Sequence, residues 1–457
     1  MLRIRAVIVV SWAAWLFACP GLWGAEMVRE VGLARIDITP SYPVRMSGYS
    51  NRKTEFEGVE QTLWAKALAI GSNAEGPAVL ITLDNLGVPG SMTDEVARRL
   101  DGKHGVKRER LVVCASHTHC APALAGVAPM IFVGDLSDQH RQHIERYTRE
   151  LTDKLEQVAS AALAARKPGR LSWAQGSVDF AVNRRQIKDG KVSFGVTPWP
   201  AGAVDHTLPV LRVTDPDGKL RGVLVNYACH CTTLGGKFMR VCGDWAGYAQ
   251  EIIEREHPGT TAMISIGCGA DANPQPREDL SYARLHGESI ARELRRLLAD
   301  SWQPIDGPLV ACRERFDLPF DRLPTREEFE ARSRQKGPIA YHAKVNLERL
   351  DRGEKLPEKL PYQVGTWRFG DDLSMVFLAG EVVVDYALRL KKECPNQRLW
   401  ITAYANDDPC YIASRRVLAE GGYEVDGSMY YYDRPTRLAP QVEDLIIGAV
   451  ETMINSK

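Results

Sequence analysis

The chain has 457 residues, 44% hydrophobic and 25% charged, a composition that supports a large core and argues against disorder. Lysine plus arginine and aspartate plus glutamate number 58 each, so the formal charge is zero, and no basic block offers a track for phosphates. That balance speaks against a nucleic-acid partner.

The opening stretch MLRIRAVIVVSWAAWLFACPGLWGAE places two arginines before an apolar run and then small residues. It reads as an export signal over residues 1–25, too short for a membrane span. Leu16-Phe17-Ala18-Cys19 offers a lipoprotein-type alternative. No second long apolar run follows, so residues 26–457 are expected as one domain without an integral membrane span, exported to the periplasm or secreted. Of the ten cysteines all but Cys19 lie beyond the signal, an odd number that leaves at least one thiol unpaired within the chain.

In chain order, GLARIDITP reads as a strand and VRMSGYSNR as a loop, and LWAKALAIG with GPAVLITLDNLG as two strands joined by a polar turn. MTDEVARRLDGKHG has acids early, bases late and glycine at its end, the polarity of a helix that feeds the strand RLVVCAS. A long helical pattern covers 139–165. Four further short strands are VLVNYACHCTTL, AMISIGCG, SMVFLAGE and LWITAYAN. Strands alternating with helices predict an α/β class of mixed β-sheets flanked by α-helices. Residues 314–362 differ: they are highly charged, with helical patches bounded by prolines, and read as a solvated helical insertion or lid.

The chemistry concentrates where apolar strands end. Side chains at i and i+2 share a strand face, so in VVCASHTHCAP His117 and His119 project together if the strand continues through them, with Cys114 opposite. The same parity in ACHCTTL sets His230 against Cys229 and Cys231. This favours imidazole over thiolate ligation, the alternative drawing on Cys120, Cys229, Cys231 and Cys410 without the usual Cys-x-x-Cys spacing. Glu381, in MVFLAGEVVVDYALRL, places a carboxylate at a strand-to-helix turn after apolar residues, and buried carboxylates are rare unless paired or metal-bound. Taken singly, each histidine also reads as a hydrogen-bonded core residue, and Glu381 as an acid at a helix N-terminus. Spacing alone reaches a zinc site of histidines plus a carboxylate with an open position. His-Glu-x-x-His, Gly-x-Ser-x-Gly, Walker and dinucleotide-binding patterns are absent.

In order along the chain, GLARIDITP with MSGYSNR, CASHTHCAP, VNRR, VNYACHCTTL, CGDWAGYA, CGADANP, LAGE and DDPCYIASRRVLAEGGYE resemble the catalytic domain of the neutral/alkaline non-lysosomal ceramidases, zinc amidases that cleave the N-acyl bond of ceramide. The resemblance runs from about residue 30 to about residue 435. It implies a single large catalytic domain acting on an N-acyl lipid presented by a membrane; as a departure from the family, no C-terminal immunoglobulin-like domain is expected. It also implies that His117, His230, Glu381 and Tyr411 hold Zn2+, with His119 left free as general base. Arg184 in VNRR and Tyr423 in GGYE match the family's substrate-side polar residues, while Asp244 and Asp271 are supporting or capping residues. One departure bears on mechanism: Asn273 stands where the family's segment carries a serine, which counts against a serine nucleophile. The other readings carried forward are a same-fold amidase or esterase with a different substrate, and a non-catalytic protein that zinc only stabilises.

Overall fold

The computed structural model describes residues 27–198, 200–395 and 398–455. The export signal and Cys19 lie outside the described residues.

Two sheets face each other. The larger has the strand order Thr261–Ile266, Leu220–Tyr227, Thr207–Thr214, Lys167–Ser177, Arg29–Asp37, Trp64–Ile70, Ala78–Leu83 and Leu111–Ala115, with Gln303–Pro304 added beside Lys167–Ser177. Its outermost pair at each end is parallel and the strands between are antiparallel, so it is mixed. The smaller sheet orders Leu309–Pro319, Lys359–Phe369, Leu373–Leu378 and Leu399–Thr402, the last pair parallel. This is the α/β class that the alternating pattern predicts.

Strand periodicity sorts the apolar residues into two layers. Leu80, Val112 and Cys114 meet Trp367, Met375, Phe377 and Trp400 in a core between the sheets. Val79, Ile81, Val113 and Ala115 point the other way, into the main core beneath the helices. The helix Asp138–Ala164 covers that face with Ile144, Tyr147, Leu151, Leu155 and Val158 buried at helical spacing, and its start is fixed by a reciprocal capping box of Ser137 and His140. A Cβ on Gly32 would lie 1.9 Å from the Ala162 carbonyl, so only glycine lets this helix rest on the strand Arg29–Asp37.

The charged stretch 314–362 differs from the helical insertion read from its sequence. Its two ends are strands, because Leu309–Pro319 and Lys359–Phe369 pair antiparallel along their whole length. Helices Arg326–Ser333 and Pro338–Asp351 lie between them, the first opened by a capping box of Thr325 and Glu328. Polar residues alternating along a half-exposed strand hide the strand signal in composition. No residue of 314–362 lines the cavity of about 570 Å³ that opens beside His119.

Candidate metal centre and its cavity

The site forms at the carboxyl ends of strands. The edge strands Leu111–Ala115 and Thr261–Ile266, at opposite ends of the large sheet's path, lie against each other. The curl brings the segment after Leu111–Ala115 beside the segment after Leu220–Tyr227, where Thr118 bridges Cys231 and His119 N–H donates to the Cys231 carbonyl at 3.3 Å. From the smaller sheet, the chain leaving Leu373–Leu378 delivers Glu381, which pairs in register with Tyr411. Crevices at the carboxyl ends of strands are where open α/β sheets place ligands.

His117 and His119 converge, Nε2 to Nε2 3.1 Å, although the strand stops at Ala115 and His117 turns back with φ 56°. The shared face comes from a left-handed kink rather than from strand parity. His230 likewise sits beyond its strand, in a loop where its N–H donates to the Ala272 carbonyl at 3.0 Å and its own carbonyl accepts from Trp245 Nε1 at 2.9 Å. His117, His119 and His230 place one ring nitrogen each within 4.8 Å of one another, the one metal-like group among the described residues.

Hydrogen bonding fixes what these nitrogens offer. Nδ1 of His117 faces the Leu86 carbonyl at 2.7 Å, that of His119 the Gly48 carbonyl at 3.1 Å, and that of His230 the Gly269 carbonyl at 2.9 Å. A carbonyl only accepts, so in each neutral ring Nδ1 carries the proton and Nε2 turns a lone pair inward. Glu381 Oε2 lies 3.2 Å from His117 Nε2 and 3.1 Å from His230 Nε2, buried and without a donor. Burial pushes the His230 imidazole down to about 4, helped by Arg184, and burial with its neighbouring histidines holds His119 well below the ordinary range, so both are neutral near pH 7. Burial works to raise the Glu381 carboxyl, but positive charge on His117 and His230 would pull it well below the ordinary range; with the rings neutral, a cation held between them would take over that role. Glu381 Oε2 and the Nε2 atoms of His117 and His119 converge without a donor, Arg184 Nη1 approaching only His230 Nε2 at 3.2 Å, and such acceptors fit a divalent cation; backbone carbonyls behind metal-binding imidazoles are the usual orienting partners.

Tyr432 Oη donates to Glu381 Oε1, and Tyr404 stacks beneath His117 with ring centroids 4.2 Å apart. Tyr411 Oη lies 3.3 Å from His230 Nε2 and accepts from Arg184 Nη2 at 3.0 Å. Burial raises the Tyr411 phenol well above its ordinary range and Arg184 opposes the rise, so ligation as phenolate depends on the cation itself. Arg184 is buried and further held by Glu424, Nε to Oε1 2.9 Å, while Arg185 binds the other oxygen of Glu424 at 2.5 Å. Tyr423 sits at the start of a short π-turn, its ring 5.5 Å from that of Tyr411 and 5.0 Å from that of Phe194. All seven residues singled out in the sequence therefore gather in one place.

Asp271 and Asp244 stand behind this group. Asp271 accepts from Val384 N–H at 2.9 Å and Asn183 Nδ2 at 3.0 Å, joining the Arg184 strand to the segment after Glu381. Asp244 binds the amides of Leu234 and Trp245 at 2.9 and 2.6 Å at the start of the helix Asp244–Glu256. All nine described cysteines are free thiols. Burial pushes Cys120 and Cys410 up to about 12, and Cys229 and Cys231 higher, and none joins the metal-like group, which removes the thiolate alternative.

Tyr404, Tyr432 and Gly48 escaped the sequence reading. Only MSGYSNR signalled one of them, since Gly48 has φ 90° and a Cβ there would lie 2.4 Å from His119 Nδ1. A cavity of about 570 Å³ opens on this group, lined by His119, Arg184, Tyr411 and Tyr423 together with Tyr49, Asn51, Ile131, Phe194, Val196, Asn273, Gln275, Arg277 and Tyr431, among others. Of the three histidines only His119 reaches it; His117 and His230 are fully buried.

Residues 30–274 match the family model described as neutral/alkaline non-lysosomal ceramidase, N-terminal. The chain belongs to this ceramidase family. Among relatives, the neutral ceramidase of Pseudomonas aeruginosa is 27% identical over 320 residues, 66% of this chain and 47% of that protein. The neutral ceramidase of Drosophila pseudoobscura pseudoobscura is 26% identical over 277 residues, 56% and 37% of the two chains. The match thus spans less than half the length of these relatives. The crystal structure of the neutral ceramidase from Pseudomonas aeruginosa superposes with a TM-score of 0.72 at 20% identity, covering 94% of this chain and 74% of that one. A structure entitled ceramidase complexed with C2 gives 0.71, also at 20% identity. These two likenesses concern the fold. Within the ceramidase match fall His117, His119, Arg184 and His230; Glu381, Tyr411 and Tyr423 lie beyond it and join the site through geometry.

Proposed function

We propose that this chain is a zinc-dependent amidase that hydrolyses the amide bond of ceramide or a related N-acyl lipid, releasing a fatty acid and a sphingoid-type amine outside the cytoplasm. One observation carries the reading: inward lone pairs of three imidazoles and an unsatisfied carboxylate oxygen meet at the floor of a cavity that only one of the imidazoles enters. Membership of the ceramidase family supports it. No helix among the described residues is long and apolar enough to cross a membrane.

His117, His230, Glu381 and Tyr411 are the residues that would hold the metal, a nitrogen and oxygen donor set suited to zinc. When bound there, zinc supplies Lewis acidity, lowering the pKa of water and polarising a carbonyl. The remaining work falls to the chain's own groups. His119, held at Nδ1 by the Gly48 carbonyl, takes a proton from the attacking water at Nε2 and returns it to the departing nitrogen. Arg184 and Tyr423 donate to the oxygen that becomes negative, and loss of one such donor typically costs about 10²- to 10³-fold in rate. Asn273 occupies the cavity wall without a nucleophilic oxygen, in keeping with direct attack by water.

Metal analysis of the purified protein, combined with a fluorescent N-acyl-sphingosine assay before and after exhaustive chelation, tests the reading. About one zinc per chain and activity that chelation abolishes and zinc restores are expected. Full activity after complete metal removal would overturn it. The substrate's exposure to His119 separates it from a merely stabilising metal, which needs no proton acceptor in a cavity.

A further inference from the structure

The cavity is lined by two guanidinium groups and no carboxylate. Arg184 is ion-paired with Glu424 and also contacts Tyr411 and His230, keeping an N–H for the cavity. Arg277 is different. It has no ion-pair partner among the described residues, and its one side-chain hydrogen bond is a long one, 3.4 Å from Nη2 to Tyr49 Oη. Its Nε is buried without an acceptor. The acids that follow it in sequence do not compensate: Asp279 caps the helix Leu280–Leu298 by accepting from Ser281 N–H at 2.8 Å, and Glu278 is exposed.

Tyr49 measures the distance from this charge to the reacting centre. Its ring packs against His119 with centroids 4.9 Å apart, while its hydroxyl donates to the Leu234 carbonyl at 2.9 Å and meets Arg277. A molecule with its amide at His119 and its amine portion running along the Tyr49 ring points towards Arg277. One hydrophobic wall is formed by Phe194, which contacts Tyr423 and Arg184, with Val196 on the same strand, and another by Ile131 and Tyr431. An acyl chain packed against Phe194 and Val196 leaves the amine portion facing Tyr49, Asn51, Gln275 and Arg277.

We propose that Arg277 is a specificity-determining residue that selects N-acyl amides whose amine portion carries an oxyanion, a carboxylate or a phosphate, over neutral ones. The inference rests on the amidase reading above. A half-buried guanidinium without a counter-ion is an incomplete site, and the planar fork of arginine matches both anions with two parallel hydrogen bonds. A neutral substrate leaves those donors unpaired, the arrangement that gives a polar pocket its strongest discrimination.

The test compares kcat/KM on two isosteric pairs: N-dodecanoylglycine with N-dodecanoylglycinamide, and O-phospho-N-dodecanoylethanolamine with N-dodecanoylethanolamine. The wild-type zinc-loaded protein prefers the anionic member of at least one pair, and the pair that shows the larger ratio identifies carboxylate or phosphate. Arg277→Gln lowers that anionic-to-neutral ratio by about 10- to 100-fold, chiefly through KM, and Arg277→Lys retains part of it. A wild-type ratio near one, or equal losses on both members in the variant, overturns the inference. Calorimetry with dodecyl phosphate on wild type and Arg277→Gln decides it without turnover. If no amide is hydrolysed yet affinity for dodecyl phosphate falls in the variant, the amidase reading fails and the anion site stands. If neutral N-acyl-sphingosine is turned over while neither the ratio nor dodecyl phosphate affinity responds to the substitution, the anion site fails alone.

Discussion

Glu381 and Tyr411 stand directly opposite each other in a two-residue parallel pairing that continues only as far as Val382 and Ile412. So short a ladder contributes little on its own, yet it sets a carboxylate and a phenol side by side against His230, which neither segment could do as a free loop.

That pairing predicts the outcome of Glu381→Ala. The variant removes the one anionic oxygen that lies within 3.2 Å of both His117 and His230. Metal affinity should fall by more than the roughly 10- to 100-fold that follows loss of an outer supporting group. Turnover should fall with it, and metal analysis after dialysis checks this. Zinc retained at wild-type stoichiometry would remove Glu381 from the ligand set.

His119 separates a base from a ligand. If His117, His230, Glu381 and Tyr411 suffice to hold the metal, His119→Ala keeps it and loses about 10²- to 10⁴-fold in kcat. Loss of metal together with activity would instead favour a three-imidazole set, which the ring spacing also allows. Gly48→Ala is the companion variant. Its new methyl group would meet the His119 side chain at 2.4 to 2.8 Å on a backbone with φ 90°, so it should displace the base, with metal retained and kcat reduced.

The fold was legible where periodicity and burial coincide. The strands Leu111–Ala115, Leu220–Tyr227, Thr261–Ile266 and Leu373–Leu378 are predominantly apolar because nearly all of their residues are buried, and sequence alone finds them. Leu309–Pro319 is half exposed and carries arginine, glutamate and aspartate, so its charge masked its strand character. At the site, parity correctly paired His117 with His119 for a wrong local reason, since the backbone kinks at His117. Tyr404 and Tyr432 were illegible because stacking and hydrogen bonding across the site are properties of tertiary approach, not of spacing.

Glu424 binds two buried arginines, Arg184 at 2.9 Å and Arg185 at 2.5 Å. Neutralising it leaves two desolvated cations facing an amide, and breaking a buried pair costs about 3–5 kcal/mol. Glu424→Gln should therefore lower stability by about that amount in urea unfolding, and should reduce kcat because Arg184 loses the contact that aims its guanidinium. A change in stability below about 0.5 kcal/mol, the usual range for exposed substitutions, would show that Arg184 is held by its other contacts.

Asp271 predicts a pH dependence with a definite sign. Burial pushes its carboxyl from 3.8 up to about 6, opposed by the Val384 amide. Between those two values the folded protein keeps a proton that the unfolded chain has released, so the contribution to stability is present below 3.8 and is lost as pH rises through about 6. Asp271→Asn lacks this titration while keeping one oxygen acceptor for the donors at Val384 and Asn183. The wild-type advantage over the variant should accordingly shrink by about 1–3 kcal/mol between pH 4.5 and pH 7 in urea unfolding. An advantage that stays level or grows over that interval would mean that the two donors outweigh burial and that Asp271 is ionised throughout.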